Sequence, residues 1–311
     1  MVNFQEYVDI STFTTFRVGG KARYFVVVRS EEELFEVIVK SNADHLSLFI
    51  LGGGSNVLFS DEGWNGIVAK IEYDFITEGN DGVLHVGAGA SLCSIIQYTC
   101  DRGLVGIERL AGIPGTIGGA IRGNSGAFGA EIGSVIRTVR TLNTVSLSMS
   151  EFSKTDCQFA YHSSFFKRHP EIVILSATLV FQSGGDSHTL NTIVWDTLAI
   201  RESKHPQKLS CAGSFFMNPT VIDQDLRREF ERETGVVVKD DKLPAGWIID
   251  YVGLRGKAIG DAKVSDLHAN YILNTGKATA EDILILASLI KQRVRTQLNI
   301  RLQEEVQMVG F

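Results

Sequence analysis

The sequence has few of the features that mark metal-binding, disulfide-bonded or membrane-spanning proteins. Its four cysteines (Cys93, Cys100, Cys157 and Cys211) form no C-x-x-C pair, and no His/Cys spacing suggests zinc. We therefore expect no metal site and predict buried thiols in a reducing cytoplasm. There is no apolar run of about 18 residues, so no membrane span is predicted. The first residues lack a basic region followed by an apolar run, so no secretory signal is expected.

The chain also has no excess of positive charge. It carries 30 Lys and Arg against 36 Asp and Glu among 311 residues, for a net charge of −6. With no Lys/Arg cluster, this balance argues against nucleic acid as a partner, although a few placed cations could hold a charged small substrate. We expect a monomeric, cytoplasmic protein with two or three domains.

Glycine is abundant, and it is concentrated. Seven of the 31 glycines lie within Leu110–Glu131, and a second glycine-rich loop lies at Leu51–Leu58. Such density is typical of tight turns, or of a bed where backbone N–H groups approach a phosphate or a flat cofactor. Two such loops, each reached from an apolar strand, fit an extended dinucleotide. The residues alone do not distinguish FAD, NAD and a nucleotide sugar.

Periodicity and capping signals predict a chain of mixed strands and helices. Strands are predicted from their β-branched and apolar content at 22–28, 46–51 and 83–89, in short runs between 135 and 181, and at the chain end, 302–310. Helices are predicted after Ser30, over 91–102, 191–204, 223–234 and 244–251, and over 279–298 with a capping box at its start. The fold class is α+β, or mixed α/β.

Residues at three places stand out as candidates for chemistry, each with a plainer alternative. Ser214 lies between a glycine and a phenylalanine, but serines near glycines are more often turn residues, and no G-x-S-x-G elbow surrounds it. Glu304 and Glu305 interrupt an apolar segment, where alternation lets one of them face inward. His162 is a candidate cation or proton shuttle, or a structural residue.

Eight segments in order resemble the UDP-N-acetylenolpyruvoylglucosamine reductase (MurB) family, the flavoenzymes of early peptidoglycan synthesis. They are TTFRVGGKA at 14–22, GGGSN at 52–56, AGIPGTIGGAIRGNSGAFGAE at 111–131, CQFAYHSSFFK at 157–167, AGSFFMNP at 212–219, KLPAGWIID at 242–250, VSDLHANYILNTGKATAEDI at 264–283 and LQEEV at 302–306. The short spacings between the later segments resemble the shorter type, which lacks an inserted substrate loop.

The resemblance implies a two-part FAD-binding domain of the vanillyl-alcohol-oxidase (PCMH) type and a C-terminal α+β substrate domain. The corresponding boundaries are residues 1–71 and 72–199 for the two FAD-binding subdomains and 200–305 for the UDP-sugar domain. The C-terminal residues 306–311 could belong to the first subdomain.

The resemblance also implies a reaction. NADPH gives a hydride to the N5 atom of bound FAD, and the flavin then passes it to the vinyl methylene of UDP-N-acetylglucosamine enolpyruvate, giving UDP-N-acetylmuramate. The cofactor carries the hydride chemistry while the protein orients the reactants and supplies charge. Groups that stabilise the negative charge building on the enolpyruvyl carboxylate stabilise the transition state most.

Site residues follow by matching positions. Ser214 matches the serine that gives the proton, and Glu305 matches a glutamate near the carboxylate, which should be protonated or share a proton to help. Residues implied to hold FAD are Gly52, Gly53, Gly54, Ser55, Asn56, Gly112, Ile113, Pro114, Gly115, Thr116, Gly118, Gly119 and Gly123. Residues implied to bind substrate are Tyr161, Lys204, Asn218 and His268.

Two positions depart from the family pattern. The third catalytic position, an arginine in the family, is His162 here, and the FFKNP segment reads FFMNP at 215–219. Histidine has fewer donors and is only partly charged near neutral pH, so either Arg122 or Lys167 compensates or turnover is reduced. The alternatives are therefore a FAD- or UDP-sugar-binding relative with weak or lost turnover, and an oxidase or dehydrogenase on the same FAD scaffold.

Overall fold

The structure is a computed structural model that describes residues 2–206 and 208–311. Its strands are β1 Gln5–Asp9, β2 Lys21–Val28, β3 Ser47–Leu51, β4 Val57–Phe59, β5 Trp64–Ile71, β6 Ile76–Glu78, β7 Val83–Gly87, β8 Gly126–Ala127, β9 Ala130–Glu131, β10 Ile136–Asn143, β11 Met149–Ser153, β12 Ile172–Val180, β13 Ala258–Ile259, β14 Ala262–Val264, β15 Ile272–Asn274 and β16 Gln307–Val309. Its helices are α1 Glu31–Ala43, α2 Leu92–Asp101, α3 Ile117–Gly123, α4 Phe165–Arg168, α5 Ser187–Lys204, α6 Gln224–Thr234, α7 Ala245–Tyr251 and α8 Ala280–Leu298.

The main helices begin where the capping signals place them. The Ser30 hydroxyl accepts the N–H of Glu33 at the start of α1, and Thr279 and Asp282 form a reciprocal capping box at the start of α8. At the other end, Gly235 closes α6 in the left-handed conformation, with φ 68°. The predictions of α1, α2, α6, α7 and α8 are confirmed to within a residue or two of their bounds.

Two predicted boundaries are wrong. Helix α5 begins at Ser187 rather than Asn191, because the Asp186 carboxylate accepts the N–H and hydroxyl of Thr189 and so caps an earlier turn. The strand at the chain end is limited to Gln307–Val309, and residue 304 makes only an isolated bridge to Phe216.

The chain folds into two compact units. The first comprises the residues up to Val8, Ala22–Gly54 and Trp64–Ser203, and the second comprises Asp9–Lys21, Ser55–Gly63 and Lys204–Phe311. The chain therefore passes from one unit to the other inside the first glycine-rich loop, between Gly54 and Ser55. The three-part division at 71, 199 and 305 stays a prediction.

The first unit holds two large sheets and the short β8-β9 pair. One has the order β1-β2-β5-β3, in which β2 and β3 both run parallel to the central β5, with α1 connecting β2 to β3. The other has the order β11-β10-β12-β7-β6, and all its pairs are antiparallel. Apolar side chains from both sheets and from α1, α2 and α3 form one buried core.

The second unit is built on α8, whose Ile283, Leu286 and Ile290 are fully buried in its core. The small sheet β13-β14-β15 and the parallel pair β16-β4 belong to the same unit. Pairing of β16 with β4 brings the chain end beside the segment that follows the first glycine-rich loop.

The prediction of buried thiols holds for three of the four cysteines. Burial raises the pKa of Cys100 to about 11 and of Cys157 to about 12, and Cys211 is buried in the second unit. Cys93, on α2, is exposed, so the prediction is wrong there. Within residues 2–206 and 208–311, none of the helices has the length and apolar character needed to cross a membrane.

Candidate active site

The two glycine-rich loops meet in the first unit. A Cβ on Gly53 would lie 2.6 Å from the Cα of Gly115, and one on Gly52 would lie 2.7 Å from Oγ1 of Thr116. Side chains at either position would therefore push the loops apart. The sequence predicted two separate loops serving one ligand, and the structure brings them into direct backbone contact.

The second loop is fixed by bonds to the segment between β7 and α2. The N–H of Leu92 donates to the carbonyl of Gly115 at 3.1 Å, and the N–H of Ile117 donates to that of Ala90 at 2.8 Å. Gly112 has φ 79°, and a Cβ there would meet the Arg201 and Leu198 side chains of α5 at 3.0 Å. The loop Gly112–Thr116 is thus a rigid platform whose exposed backbone leads into α3.

Helix α3 carries glycines that the protein itself does not require. Gly119 has no positive φ, and a Cβ there would meet only Thr116 Oγ1 at 3.6 Å, an ordinary contact. A Cβ on Gly123 would come no closer than 3.9 Å to Ser125 Oγ. Since glycine inside a helix costs about 1 kcal/mol relative to alanine, this bare strip fits a flat group lying against the helix. The residues present therefore fit FAD.

Asn124 ends α3 and ties it to its surroundings. It is 3 % exposed, has φ 46°, and its Nδ2 donates to the Glu131 carboxylate at 2.9 Å and to the Ala160 carbonyl at 3.0 Å. Its Oδ1 accepts the N–H of Gly133 at 3.1 Å. The sequence analysis did not single out this residue, although an Asn directly after a glycine-rich helix is a known signal for a left-handed C-cap.

Tyr161 and His162 form the two central residues of a tight turn. Ala160 and Ser163 exchange both backbone hydrogen bonds, at 3.0 and 3.1 Å, and His162 has φ 48°. The two rings pack edge to face with centroids 4.4 Å apart. The turn is braced by Lys167, whose Nζ donates to the His162 carbonyl at 2.9 Å. Lys167 is therefore engaged in holding the turn.

Arg122 lies in the last turn of α3 and is half-buried. Its carbonyl accepts the Ser164 hydroxyl at 2.7 Å, which links α3 to the segment that carries the turn. Burial alone lowers the pKa of its guanidinium, without a contribution from any charged neighbour. In the part of the chain that the structure describes, the guanidinium has no hydrogen-bond or ion-pair partner.

In the second unit, Ser214 and Glu305 lie on two paired segments. The Glu305 N–H donates to the Phe215 carbonyl at 2.9 Å, and the Met217 N–H donates to the Gln303 carbonyl at 2.9 Å. Glu304 forms an ion pair with Lys291 of α8 at 2.7 Å. Two of the three residues predicted to be catalytic, Ser214 and Glu305, therefore lie on segments that pair with each other.

Asn270 clamps the serine segment, and sequence reasoning missed it. This residue is 3 % exposed; its carbonyl accepts the Phe215 N–H at 2.7 Å, and its side chain exchanges hydrogen bonds with the backbone of Phe216 at 3.0 and 2.8 Å. A buried Asn that satisfies backbone groups of a distant segment fixes that segment in place. The only sequence signal was its position within HANY.

Asn56, predicted to hold the cofactor, bonds to the chain around Glu305. Its Nδ2 donates to the Glu305 carbonyl at 3.3 Å, and its own carbonyl accepts the N–H of Gln307 at 3.1 Å. The loop Ser55–Asn56 and the glutamate are therefore mechanically connected within the second unit.

The predicted substrate-binding residues differ in how far their polar groups already bond within the protein. Asn218 uses its Oδ1 to cap α7 through the Ala245 N–H at 2.9 Å, which leaves its Nδ2 for a ligand. His268 packs on Gly246, where a Cβ would lie 2.8 Å from its Cε1, and stacks on His205 with ring centroids 5.0 Å apart. Lys204 is exposed at the end of α5.

The tautomer of His268 follows from its contacts. Burial lowers the pKa of His268, so the ring is neutral near pH 7. Its Nδ1 accepts the Asn270 N–H at 3.2 Å, so the proton sits on Nε2, which is a donor. The ring is thus suited to donate to a ligand oxygen and unsuited to act as a cation. Among the residues that the structure describes, no His, Cys, Asp or Glu cluster could hold a metal ion.

Comparison with known proteins agrees with this arrangement. Residues 22–148 match the FAD binding domain model, and residues 205–309 match the model of the UDP-N-acetylenolpyruvoylglucosamine reductase C-terminal domain. The UDP-N-acetylenolpyruvoylglucosamine reductase of Solibacter usitatus is 36% identical over 97% of this chain and 95% of its own length. The chain belongs to this family.

Further relatives support the same assignment. The reductase of Chlamydia pneumoniae is 34% identical over 98% of this chain and 91% of its own. The crystal structure of the reductase from Thermus caldophilus superposes with a TM-score of 0.78 at 27% identity, covering all of both chains. The predicted fold class, a FAD-binding domain followed by an α+β substrate domain, is confirmed.

Proposed function

We propose that this protein reduces UDP-N-acetylglucosamine enolpyruvate to UDP-N-acetylmuramate with NADPH, through bound FAD, in peptidoglycan precursor synthesis. The observation that carries the proposal is the pairing of the Ser214 and Glu305 segments, within a chain similar over its whole length to reductases of this family. A cytoplasmic location and a monomeric state belong to the same proposal.

Bound FAD would accept the hydride from NADPH and deliver it to the vinyl methylene of the substrate. The backbones of Gly52–Gly54 and Gly112–Thr116 would hold its pyrophosphate region, together with Ser55 and Asn56. Gly119 and Gly123 would leave room for its flat part, while Gly118 lets α3 pack closely on Ala88, whose Cβ lies 2.9 Å from where a Cβ on Gly118 would be. The bare strip on α3 supports this placement, since nothing in the protein itself calls for glycine at 119 and 123.

The chain's own residues would supply proton and charge. Ser214 would give the proton to the carbon next to the methylene, and Glu305 would face the carboxylate while sharing a proton. Asn270 holds the backbone of the serine segment, so the hydroxyl is positioned before substrate arrives. His162 and Tyr161 would approach the substrate from their turn, and Lys204, Asn218 and His268 would contact the sugar nucleotide.

The alternatives are less well supported. An oxidase or dehydrogenase would have no use for the C-terminal reductase domain matched at residues 205–309. A relative that has lost turnover would have no reason to keep Ser214, Asn270 and Glu305 assembled.

Removing the Ser214 hydroxyl tests the proposal. In Ser214→Ala, we expect flavin reduction by NADPH to be within about two-fold of wild type, while reoxidation by substrate falls by about 10²–10⁴-fold, the range typical of lost general acid catalysis. Anaerobic stopped-flow absorbance measures the two half-reactions separately. Ser203→Ala is the matched control, because its hydroxyl only bonds the Ile200 carbonyl of its own helix, at 2.9 Å. Equal loss of both half-reactions would show that Ser214 is structural.

A further inference from the structure

Arg122 is a half-buried cation for which the described residues provide no counter-ion. Burial is the sole influence on its pKa, and neither a carboxylate nor a carbonyl in residues 2–206 and 208–311 accepts from its guanidinium. Arginine is rarely taken out of water without a partner, since the desolvation of its charge is repaid only by an anion or by hydrogen bonds. The arrangement therefore points to an anionic ligand.

The position of Arg122 on α3 indicates which ligand. It follows Gly119 by three residues, so the two positions are neighbours on the helix surface. It also lies six residues after Thr116, which places it about 9 Å further along the helix axis from the loop proposed to hold the flavin pyrophosphate. Arg122 thus lies at the end of the bare strip away from the loop proposed to hold the phosphates.

The same end of α3 is fastened to the turn that carries His162. Ser164 Oγ donates to the Arg122 carbonyl at 2.7 Å, and Asn124 Nδ2 donates to the Ala160 carbonyl at 3.0 Å. Arg122 and His162 therefore belong to neighbouring, fixed elements of the first unit.

The other cations close to this turn are engaged. Lys167 donates to the His162 carbonyl at 2.9 Å, and Arg168 bonds Gln158 Oε1 at 2.6 Å and Ser163 Oγ at 3.1 Å. Helices α3 and α4 carry three cations. Lys167 and Arg168 hydrogen-bond within the protein, whereas the Arg122 guanidinium has no hydrogen-bond or ion-pair partner among the described residues.

We propose that Arg122 binds the carboxylate of the enolpyruvyl substrate. The assignment rests on the proposed function and goes beyond it, because it gives the carboxylate a permanent cation other than His162. A guanidinium presents two parallel donors that match a carboxylate and keeps its charge at any physiological pH. As hydride addition moves negative charge into the carboxylate, the contact strengthens, so Arg122 lowers the barrier as well as binding the substrate.

The test compares two ligands that differ by the carboxylate-bearing group. Wild type, Arg122→Gln and Arg122→Lys are titrated, as FAD-loaded protein, with UDP-N-acetylglucosamine enolpyruvate and with UDP-N-acetylglucosamine. In Arg122→Gln we expect enolpyruvyl substrate to bind about 10- to 100-fold more weakly, and UDP-N-acetylglucosamine to bind as in wild type. Arg122→Lys should recover part of the loss. Flavin content and the rate of bleaching by NADPH should stay unchanged.

The matched control is Arg140→Gln, on a strand of the same unit. Arg140 is exposed and paired with Glu31 at 2.8 Å, away from α3. It should behave as wild type towards both ligands.

Three results would overturn the assignment. Equal weakening of both ligands in Arg122→Gln would mean a structural role, loss of FAD would mean that Arg122 holds flavin phosphates, and unchanged affinities would mean that it binds neither. None of these results changes the reoxidation of the wild-type flavin by substrate, which tests the proposed function separately. If the wild type itself binds no enolpyruvyl substrate, the proposed function fails, and the assignment fails with it.

Discussion

His268 shows how a single residue in the site is set by its surroundings. Its ring is half-buried, stacked on His205 and bonded at Nδ1 to the Asn270 N–H. Burial lowers the pKa of this imidazole in the folded protein below its usual value near 6.5. The folded state therefore resists taking up a proton that the unfolded chain accepts.

This environment predicts how stability depends on pH. Well above about pH 6.5 the imidazole is neutral in both states, so it contributes nothing to the pH dependence of stability. As the pH falls through about 6.5, the unfolded chain binds a proton before the folded protein does, so the free energy of unfolding decreases. We expect the free energy of unfolding of wild type to decrease from pH 7.5 to pH 5.5, and His268→Asn to show a smaller decrease. Urea unfolding at the two pH values measures the difference. Identical slopes would contradict the assignment of a neutral, half-buried ring.

Single residues were predicted from the sequence when their role is local. Ser30, Thr279 and Gly235 act on groups within a few positions, and the structure has them at the ends of α1, α8 and α6 as expected. The role of Asn270 could not be found in this way, and Arg122 was named only as one of two possible compensating cations. Asn270 acts on residues 54 positions away, and the desolvation of Arg122 depends on packing that no local pattern encodes.

At the scale of elements, the first glycine-rich loop and α3 hold two kinds of glycine. Gly53 is required by the fold, because a Cβ there would strike the backbone of Gly115 at 2.6 Å. Gly119 is not, because a Cβ there meets only an ordinary contact. Gly53 therefore serves packing between loops, whereas Gly119 is proposed to leave room for a ligand.

Alanine substitution separates these roles. In apoprotein, Gly119→Ala should raise the free energy of unfolding by up to about 1 kcal/mol, because alanine is the better helix former. The same change should weaken FAD binding, because the added methyl group occupies the bare strip. Gly53→Ala, the comparison variant, should instead destabilise apoprotein by about 1–3 kcal/mol through the backbone clash.

Urea unfolding of apoprotein and fluorescence titration with FAD give both quantities. Normal FAD affinity in Gly119→Ala would contradict the placement of the flavin on α3.

Elements were predictable where capping and periodicity agree, as in α8. The structure of the chain end was not predicted correctly. Its apolar residues suggested a strand over 302–310, but Leu302 and Val306 are buried in the core of the second unit outside any ladder, and pairing with β4 begins only at Gln307. Burial of apolar residues does not by itself require strand pairing, which is why the prediction was wrong here.

At the scale of the whole molecule, each of the two units has its own core, and the chain crosses between them inside the first glycine-rich loop. The first unit contains the loops and helix proposed for FAD, and the second contains the serine and glutamate proposed for proton transfer. Family membership was predicted from eight ordered segments, and it covers nearly the full length of the relatives compared. The presence of His162 in place of the family's arginine leaves the fold intact. Arg122 is the residue proposed to supply the permanent cation instead.

The central claim is that one protein catalyses both half-reactions. The most direct measurement is anaerobic stopped-flow absorbance of the FAD-loaded protein, mixed first with NADPH and then with UDP-N-acetylglucosamine enolpyruvate. We predict that the flavin band bleaches with NADPH and recovers with the substrate, at a rate that rises with substrate concentration until it saturates. Bleaching without recovery would contradict the reductase assignment, and absence of a flavin band after reconstitution with FAD would contradict the cofactor as well.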